Sequence, residues 1–247
     1  MSFWVACARR GCAALVTFTV LATAGCGGVF GPQYEYEEDL YPALDGSATL
    51  YVSASVAALV ALRGVDLDLD PRAPIDRNRV RALFEAPGLA VRRPRVSHRS
   101  GRRFVHVRID TPSVQALATA APLSWSSYAI TRRPGLVTLT QEIGAASGRA
   151  VGDVGWSGDE VVAFRLHVPG RIQFHNAEQG IERGNILTWE QSLAGRVKGV
   201  PLELEVRMES DSILFRTLML FGSAALAALA TLGLAVWWLA RRKHETA

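Results

Sequence analysis

Few residues in this sequence have the types and spacing that catalysis or metal binding requires. The chain has five histidines, and none belongs to an H-E-x-x-H zinc motif. His167 and His175 flank a Pro-Gly pair, so a hairpin would bring them together, but no cysteine or close carboxylate cluster completes a metal site. No G-x-S-x-G nucleophile motif occurs either. The sequence predicts no catalytic residue, no metal and no cofactor, and therefore a protein that is not an enzyme.

Three aspartates alternate with apolar residues after residue 65. Asp66, Asp68 and Asp70 offer the oxygen ligands that calcium prefers. The segment lacks the glycine and the later glutamate of an EF-hand loop. It is predicted to be the acidic face of a short strand or loop.

Arginine is the one charged residue type that clusters. A helix beginning at residue 77 and the hairpin after it are predicted to form a basic face. Near anionic lipid headgroups each basic side chain would contribute about 1 kcal/mol, so this face could bind phospholipid-like ligands or hold the domain on a membrane. The alternative is a solvated face, because only Lys198 and Lys243 are lysines among the 27 basic residues. The face comprises Arg77, Arg79, Arg81, Arg92, Arg93, Arg95, Arg102 and Arg103.

The N-terminal segment predicts export. Arg9 and Arg10 precede an uncharged stretch that ends in small residues, which is typical of a signal peptide over residues 1–25. This stretch is shorter than the roughly 20 apolar residues of a membrane span. The residues before Cys26, Ala24-Gly25, resemble the lipobox of bacterial lipoproteins, although Thr23 stands where leucine is usual. The resemblance implies cleavage before Cys26 and acylation of its thiol; the alternative is an unmodified cysteine.

The C-terminal segment predicts a membrane anchor over residues 213–240. Thr217–Ala240 has no charged residue and would form about 36 Å of helix, enough to cross a hydrocarbon core of about 30 Å. Two tryptophans and three basic residues follow the pattern of an interfacial belt and a positive cytoplasmic flank. The predicted membrane-interface residues are Trp237, Trp238, Arg241, Arg242 and Lys243. Residues 241–247 are therefore predicted to be cytoplasmic.

The net charge of +4 and the isoelectric point of about 9.2 are typical of proteins that bind anions. A domain exported across the plasma membrane meets lipids rather than DNA, so nucleic acid is excluded as a partner. Membrane lipids are the predicted partners.

Period-two alternation dominates residues 27–212. Ser47–Ser55 places its apolar residues on one face, Tyr34–Tyr41 alternates tyrosine with acidic residues, and an Asp-Gly pair between them predicts a hairpin. Asp76 is predicted to cap a helix that runs to Phe84, and shorter helices are predicted at residues 56–62 and 111–121. The sequence therefore predicts one exported α+β domain with a mainly antiparallel sheet.

The order of these elements resembles a known family. An early Asp45-Gly46-Ser47 turn, the motif from Gly184 to Trp189, a late strand and an immediate C-terminal membrane helix look like the LppM-type bacterial lipoproteins. The resemblance implies an exported α+β domain with an apolar cavity for envelope lipids or glycolipids. We expect that cavity to be lined by Leu83, Phe84, Phe164 and Trp189.

The predicted function is therefore binding or handling of envelope lipid or glycolipid by a domain outside the plasma membrane. The alternative is an assembly or sensing subunit that contacts another membrane protein. Two anchors in one molecule would also place Tyr34 and Met208 on the same, membrane-proximal side of the domain.

Overall fold

The structure is a computed structural model that describes residues 32–245. The predicted signal peptide, the lipidation site Cys26 and the last two residues lie outside the described residues. The strands are β1 (Gln33–Pro42), β2 (Ala48–Ser55), β3 (Ala90–Val91), β4 (Arg95–Arg99), β5 (Arg102–Thr111), β6 (Ser126–Arg133), β7 (Leu136–Ile143), β8 (Glu160–His167), β9 (Gly170–His175), β10 (Ile186–Ser192) and β11 (Leu202–Ser212). The helices are α1 (Val56–Arg63), α2 (Arg77–Phe84), α3 (Leu193–Val197) and α4 (Ile213–Glu245), with 3-10 helices at Val114–Thr119 and Ala121–Leu123.

Two sheets form the domain. Sheet A has the strand order β10-β8-β1-β2-β5-β3, and β4 also pairs with β5; sheet B has the order β6-β7-β11-β9. The β1–β2, β4–β5 and β6–β7 hairpins are antiparallel. The inner faces of both sheets contribute to one hydrophobic core, with Leu50 and Phe164 from sheet A and Leu139 and Val206 from sheet B. The predicted α+β class is confirmed.

Helix α1 is buried along its length except at its last residue because its sequence is apolar on every side. Ser55 accepts a hydrogen bond from the Ala58 amide at 3.0 Å and caps the N-terminus. Gly64, with φ of 65°, ends the helix in the left-handed conformation. The helix predicted at residues 56–62 is confirmed.

Helix α2 also begins at its predicted cap. The Asp76 carboxylate accepts a hydrogen bond from the Asn78 amide at 2.8 Å, and Val80 and Phe84 are buried. The helix predicted at residues 111–121 begins later than Thr111, at Val114, and has 3-10 geometry. Thr111 is the last residue of β5 and pairs with Ala48, so the chain continues as strand and then forms two short 3-10 helices.

The segment around Asn185 fixes the turn between β8 and β9. Asn185 adopts φ of 63°, in the left-handed region that asparagine tolerates better than most residues. Its side-chain amide donates to the carbonyls of Val168 and Gly170, both at 2.7 Å. Asn185 therefore holds the point where the chain passes from sheet A to sheet B.

Tyr34 and Met208 lie at opposite ends of the domain, so the prediction that they share one side is wrong. Tyr34 lies at the start of β1, which ends at the β1–β2 turn. Arg132 donates two hydrogen bonds to the Leu44 carbonyl of that turn, and Val137 pairs with both Arg132 and Met208. Met208 is therefore level with the turn, about 26 Å from the start of β1 at 3.3 Å per residue. The prediction failed because β1, which lies in the other sheet, runs toward the end of the domain at which β11 enters α4.

Strand β11 leads directly into α4. Within the described part of the chain, α4 is the one helix that has the length and composition to cross a membrane. Its apolar segment, Thr217–Trp238, has 22 residues and a mean hydropathy of 2.0, and none of it is buried against the domain. Trp237 and Trp238 are exposed, and the Arg241 guanidinium lies 4.1 Å from the centre of the Trp237 ring. The side chains of Arg242 and Lys243 are outside the described part.

Candidate functional site

The four residues predicted to line an apolar cavity are packed in the core instead. Phe84, Phe164 and Trp189 are buried, and Leu83 packs against the same core. The Phe164 ring lies 6.2 Å from the Tyr36 ring and 6.0 Å from the Trp125 ring, between centroids, and all three side chains are buried. None of the four lines any of five clefts on the described domain, which are lined by other residues. The prediction of this cavity is therefore wrong, because the aromatic side chains fill the volume they were expected to surround.

Two arginines of the predicted basic face are not on the surface. Arg103 is 5% exposed and donates to the main-chain carbonyls of Ala73 and Asp68. Arg102 lies 3.0 Å from the Glu35 carboxylate, and its side chain is 11% exposed. Including these two residues in the basic face was wrong. The Arg103 guanidinium holds the loop at Asp68 and Ala73. The Arg102 guanidinium pairs with the buried Glu35 and donates to the Gly155 carbonyl.

The helical part of the predicted face is locally neutralised. Arg79 lies 2.5 Å from the Asp66 carboxylate, and Arg81 lies 2.8 Å from Glu85 one turn later. These pairs are exposed, so each contributes little to stability. Arg77 remains exposed at the start of α2. Asp66 is thus an ion-pair partner of Arg79 in a loop.

The remaining arginines meet in a groove on the outer face of sheet A. The groove has a volume of about 550 Å³ and lies over β2, β5 and the segment that contains β4. Period-two alternation directs its residues outward from three neighbouring strands, with Ser53 opposite His106 and His106 opposite Arg95. We call this surface the basic groove, defined by Ser53, Arg92, Arg93, Arg95, His106 and Arg108.

The basic groove carries an excess of positive charge. Arg92 and Arg108 bind the Asp110 carboxylate at 3.1 and 3.0 Å. Burial alone would raise the pKa of Asp110, but hydrogen bonds from Thr49, Arg108 and Arg92 outweigh it and hold this pKa below its ordinary value. Asp110 thus offsets one of the four arginine charges in the groove, which leaves three.

Two of these arginines are available to a ligand. Arg93 and Arg95 are exposed, and among the described residues neither has a carboxylate partner. Guanidinium groups bind phosphate and carboxylate oxygens through paired N–H donors. The groove can therefore bind an anionic group of up to a few charges.

His106 lies at the floor of the groove between two serines. Its Nδ1 is 2.9 Å from Ser53 Oγ, and its Nε2 is 2.8 Å from Ser97 Oγ. Burial lowers the pKa of His106, and the charge of Arg95 lowers it further, against a smaller opposing effect of Glu37. His106 is therefore neutral near pH 7. The sequence interpretation of this histidine identified no role, because its serine partners come from two other strands.

A second polar cluster lies inside the core. Glu38 of β1 is buried and accepts hydrogen bonds from Tyr36 at 2.5 Å, from Tyr128 at 3.3 Å and from the Gln141 amide at 3.3 Å. Tyr128 and Gln141 belong to β6 and β7, so Glu38 links sheet A to sheet B. Burial raises the pKa of Glu38, and the hydrogen bonds from Tyr36, Gln141 and Tyr128 counter part of that effect.

The fold and the groove define a class: an α+β domain with an exposed basic surface, joined to a helix that can span a membrane. The sequence matches no protein-family model, and it matches no curated protein. A similar solved structure is the NMR structure of the folded domain of LppM from Mycobacterium tuberculosis. The match has 13% sequence identity and a TM-score of 0.42, and it covers 75% of this chain and 95% of that one. These values are too low to assign the chain to a family.

Proposed function

We propose that this protein is a membrane-anchored envelope lipoprotein whose exported domain binds the anionic headgroup of an envelope lipid or glycolipid in the basic groove. The observation that carries the proposal is the pairing of two unpartnered arginines, Arg93 and Arg95, with a groove large enough for a headgroup. Its role is binding, with no catalytic step, no metal and no cofactor. The ligand is held on the outer face of sheet A, and no acyl-chain cavity is required.

The position of the groove relative to α4 favours a ligand in the same membrane. Tyr41 stacks on His167 at a ring distance of 3.7 Å, and β8 leads through a short turn to Gly170, which pairs with Ser212 beside α4. Asp110 lies across β2 from Tyr41, because both pair with Thr49. The Asp110 end of the groove is therefore the end closer to the membrane that α4 would cross.

In the proposed topology α4 spans the plasma membrane, the domain lies outside, and Arg241, Arg242 and Lys243 lie on the cytoplasmic side. Acylation of Cys26 would add a second anchor. From Cys26 to Tyr34 the chain reaches at most about 29 Å. Tyr34 already lies about 26 Å from the level of Met208, and Ser212 and α4 lie beyond that level, so residues 26–34 would barely reach the membrane that α4 crosses even when fully extended.

Native mass spectrometry of the full chain in an uncharged detergent tests the proposal. We expect the wild type to retain phosphatidylglycerol in preference to phosphatidylcholine, and the double variant Arg93→Gln/Arg95→Gln to lose most of that preference. The control is Arg77→Gln/Arg133→Gln, which removes two exposed arginines outside the groove. Equal lipid retention by all three proteins would refute binding in the basic groove.

The filled core also favours the alternative function, an envelope assembly or sensing subunit, because that role needs no cavity. Native mass spectrometry of the protein extracted from native membranes tests this alternative function. A stoichiometric membrane-protein partner without bound lipid would favour this alternative over headgroup binding.

A further inference from the structure

The floor of the basic groove contains a hydrogen-bonded chain of three side chains from three strands. Ser53 of β2, His106 of β5 and Ser97 of β4 are joined by contacts of 2.9 and 2.8 Å. We infer that Ser53, His106 and Ser97 form an oxyanion-binding triad, in which a proton taken up by His106 makes both serine hydroxyls available as donors to the ligand. This inference rests on the proposed function, because it concerns the same groove.

The neutral imidazole limits what the triad can donate. A neutral histidine donates from one ring nitrogen and accepts at the other. One serine hydroxyl must therefore point its hydrogen at the ring, and only the second serine has a hydrogen free for the groove. In this state the triad offers a ligand one hydroxyl donor and no charge.

Protonation of His106 changes both the number of hydroxyl donors and the charge that the triad offers to a ligand. The imidazolium ring donates from both nitrogens, so Ser53 and Ser97 both act as acceptors toward His106 and both can turn their hydrogens toward the groove. The triad then offers two hydroxyl donors and one additional positive charge. Two donors beside the guanidinium groups of Arg93 and Arg95 suit a tetrahedral oxyanion such as a phosphate ester.

The charges around His106 determine when this proton is taken up. Arg95 and Arg99 on β4 disfavour the imidazolium, and Glu37 on β1 favours it, while burial keeps the pKa of His106 below its usual range. An oxyanion bound against the two serines would offset the arginine charges, and it would raise the pKa of His106 in the complex. Binding therefore takes up a proton, and affinity for the anion rises as the pH falls.

The inferred ligand carries a phosphate ester, which could belong either to a lipid headgroup or to a soluble molecule. Isothermal titration of the full chain in uncharged detergent with glycerophosphoglycerol, the deacylated headgroup, measures the affinity of the groove without acyl chains. This phosphodiester keeps a constant charge over the range of the experiment, so a change in affinity reports a group on the protein. A parallel arm uses intact phosphatidylglycerol, and a response confined to it identifies the lipid as the source of the anion.

We expect the wild-type affinity to rise on the order of tenfold from about pH 7.5 to about pH 5.5, because one linked proton allows at most tenfold per pH unit. His106→Asn keeps a donor and an acceptor but cannot be protonated, so its affinity should be independent of pH. Ser53→Ala and Ser97→Ala should each weaken binding more at the lower pH. His98→Asn, which changes the exposed histidine beside Ser97, is the matched control and should keep the wild-type pH dependence.

The outcomes separate this inference from the proposed function. Binding that requires Arg93 and Arg95 but does not vary with pH would overturn the triad and leave the groove intact. The same pH dependence in His106→Asn would also overturn the triad. Failure of the wild type to bind either probe at any pH would overturn both.

Discussion

Replacing Glu38 tests whether a buried carboxyl group links the two sheets. The side chain is 2% exposed, and its oxygens accept hydrogen bonds from Tyr36, Tyr128 and Gln141. Glu38→Gln preserves the shape and removes the ionisable group. Glu38→Ala removes the acceptors as well, and it leaves three polar groups without this partner in the core.

The two variants should lower the free energy of unfolding by different amounts. Each buried polar group that loses its partner costs about 1–3 kcal/mol, and Gln141 keeps a weaker contact with Ser126, so we expect Glu38→Ala to lower the free energy of unfolding by about 3 kcal/mol. Glu38→Gln should be within about 1 kcal/mol of the wild type in acid, because the protonated carboxyl group and the amide make similar hydrogen bonds.

The ionisation of Glu38 should make the stability of the protein fall as the pH rises. The folded protein holds the Glu38 proton at a pH where the unfolded chain has already released it, because burial raises the pKa of Glu38. The folded state therefore binds more protons in this window, and stability falls as the pH rises from the unfolded value of about 4.3 through the higher folded value. Each unit by which the folded pKa of Glu38 exceeds the unfolded pKa makes the protein about 1.4 kcal/mol less stable at neutral pH than in acid. Glu38→Gln removes this contribution, so it should be more stable than the wild type at neutral pH and above.

Urea denaturation of the full chain in uncharged detergent, followed by tryptophan fluorescence at several pH values, measures these differences. Glu142→Gln makes the same chemical change at an exposed position of β7 and should leave the pH profile unchanged. A Glu38→Gln profile parallel to that of the wild type would refute the buried proton on Glu38. Equal stability of Glu38→Ala and Glu38→Gln would refute the hydrogen-bonded link between the sheets.

Three further predictions concern a cap, a turn and the processing of the chain. Asp76→Ala should lower stability by about 1 kcal/mol, whereas Asp76→Asn should retain most of the cap; an unchanged urea midpoint in the alanine variant would contradict this. Asn185→Ala should lower stability by about 2–3 kcal/mol, since it loses the bonds to Val168 and Gly170 and places alanine at positive φ. Asn185→Gly should have a stability between those of the wild type and Asn185→Ala, because glycine tolerates positive φ. If the glycine and alanine variants lose the same stability, the whole effect comes from the hydrogen bonds. Labelled palmitate should enter the wild type and not Cys26→Ser, and equal labelling would exclude acylation at Cys26.

Local patterns in the sequence predicted most of the elements. The alternation of residues 47–55 and the adjacent turn predicted the β1–β2 hairpin, and Asp76 predicted the start of α2, because pleat periodicity and capping depend on neighbours within a few residues. The length and apolarity of residues 217–240 predicted α4 for the same reason, and the apolar segment of α4 is Thr217–Trp238. Each of these signals is complete within one segment of chain.

The candidate site was less accessible to sequence reasoning. Arg92, Arg93 and Arg95 were identified as part of a basic face, but Arg102 and Arg103 share their charge and are buried in the structure. The difference arises from the partners that each arginine meets in the fold: Arg103 faces the core and binds a loop carbonyl, whereas Arg102, on the other side of β5, pairs with the buried Glu35. A basic composition therefore predicted an anion-binding surface without defining its members.

The sequence by itself determined the hairpins, the capped helices and a helix that can span a membrane, because these depend on contacts between near neighbours. Only the tertiary structure decided that β1 and β11 lie in different sheets, that Glu38 faces the core, and that His106 meets serines from two other strands. Each of these results depends on pairing between segments that are distant in the chain. Such pairing is selected by the packing of the whole core, and no local pattern of residues encodes it.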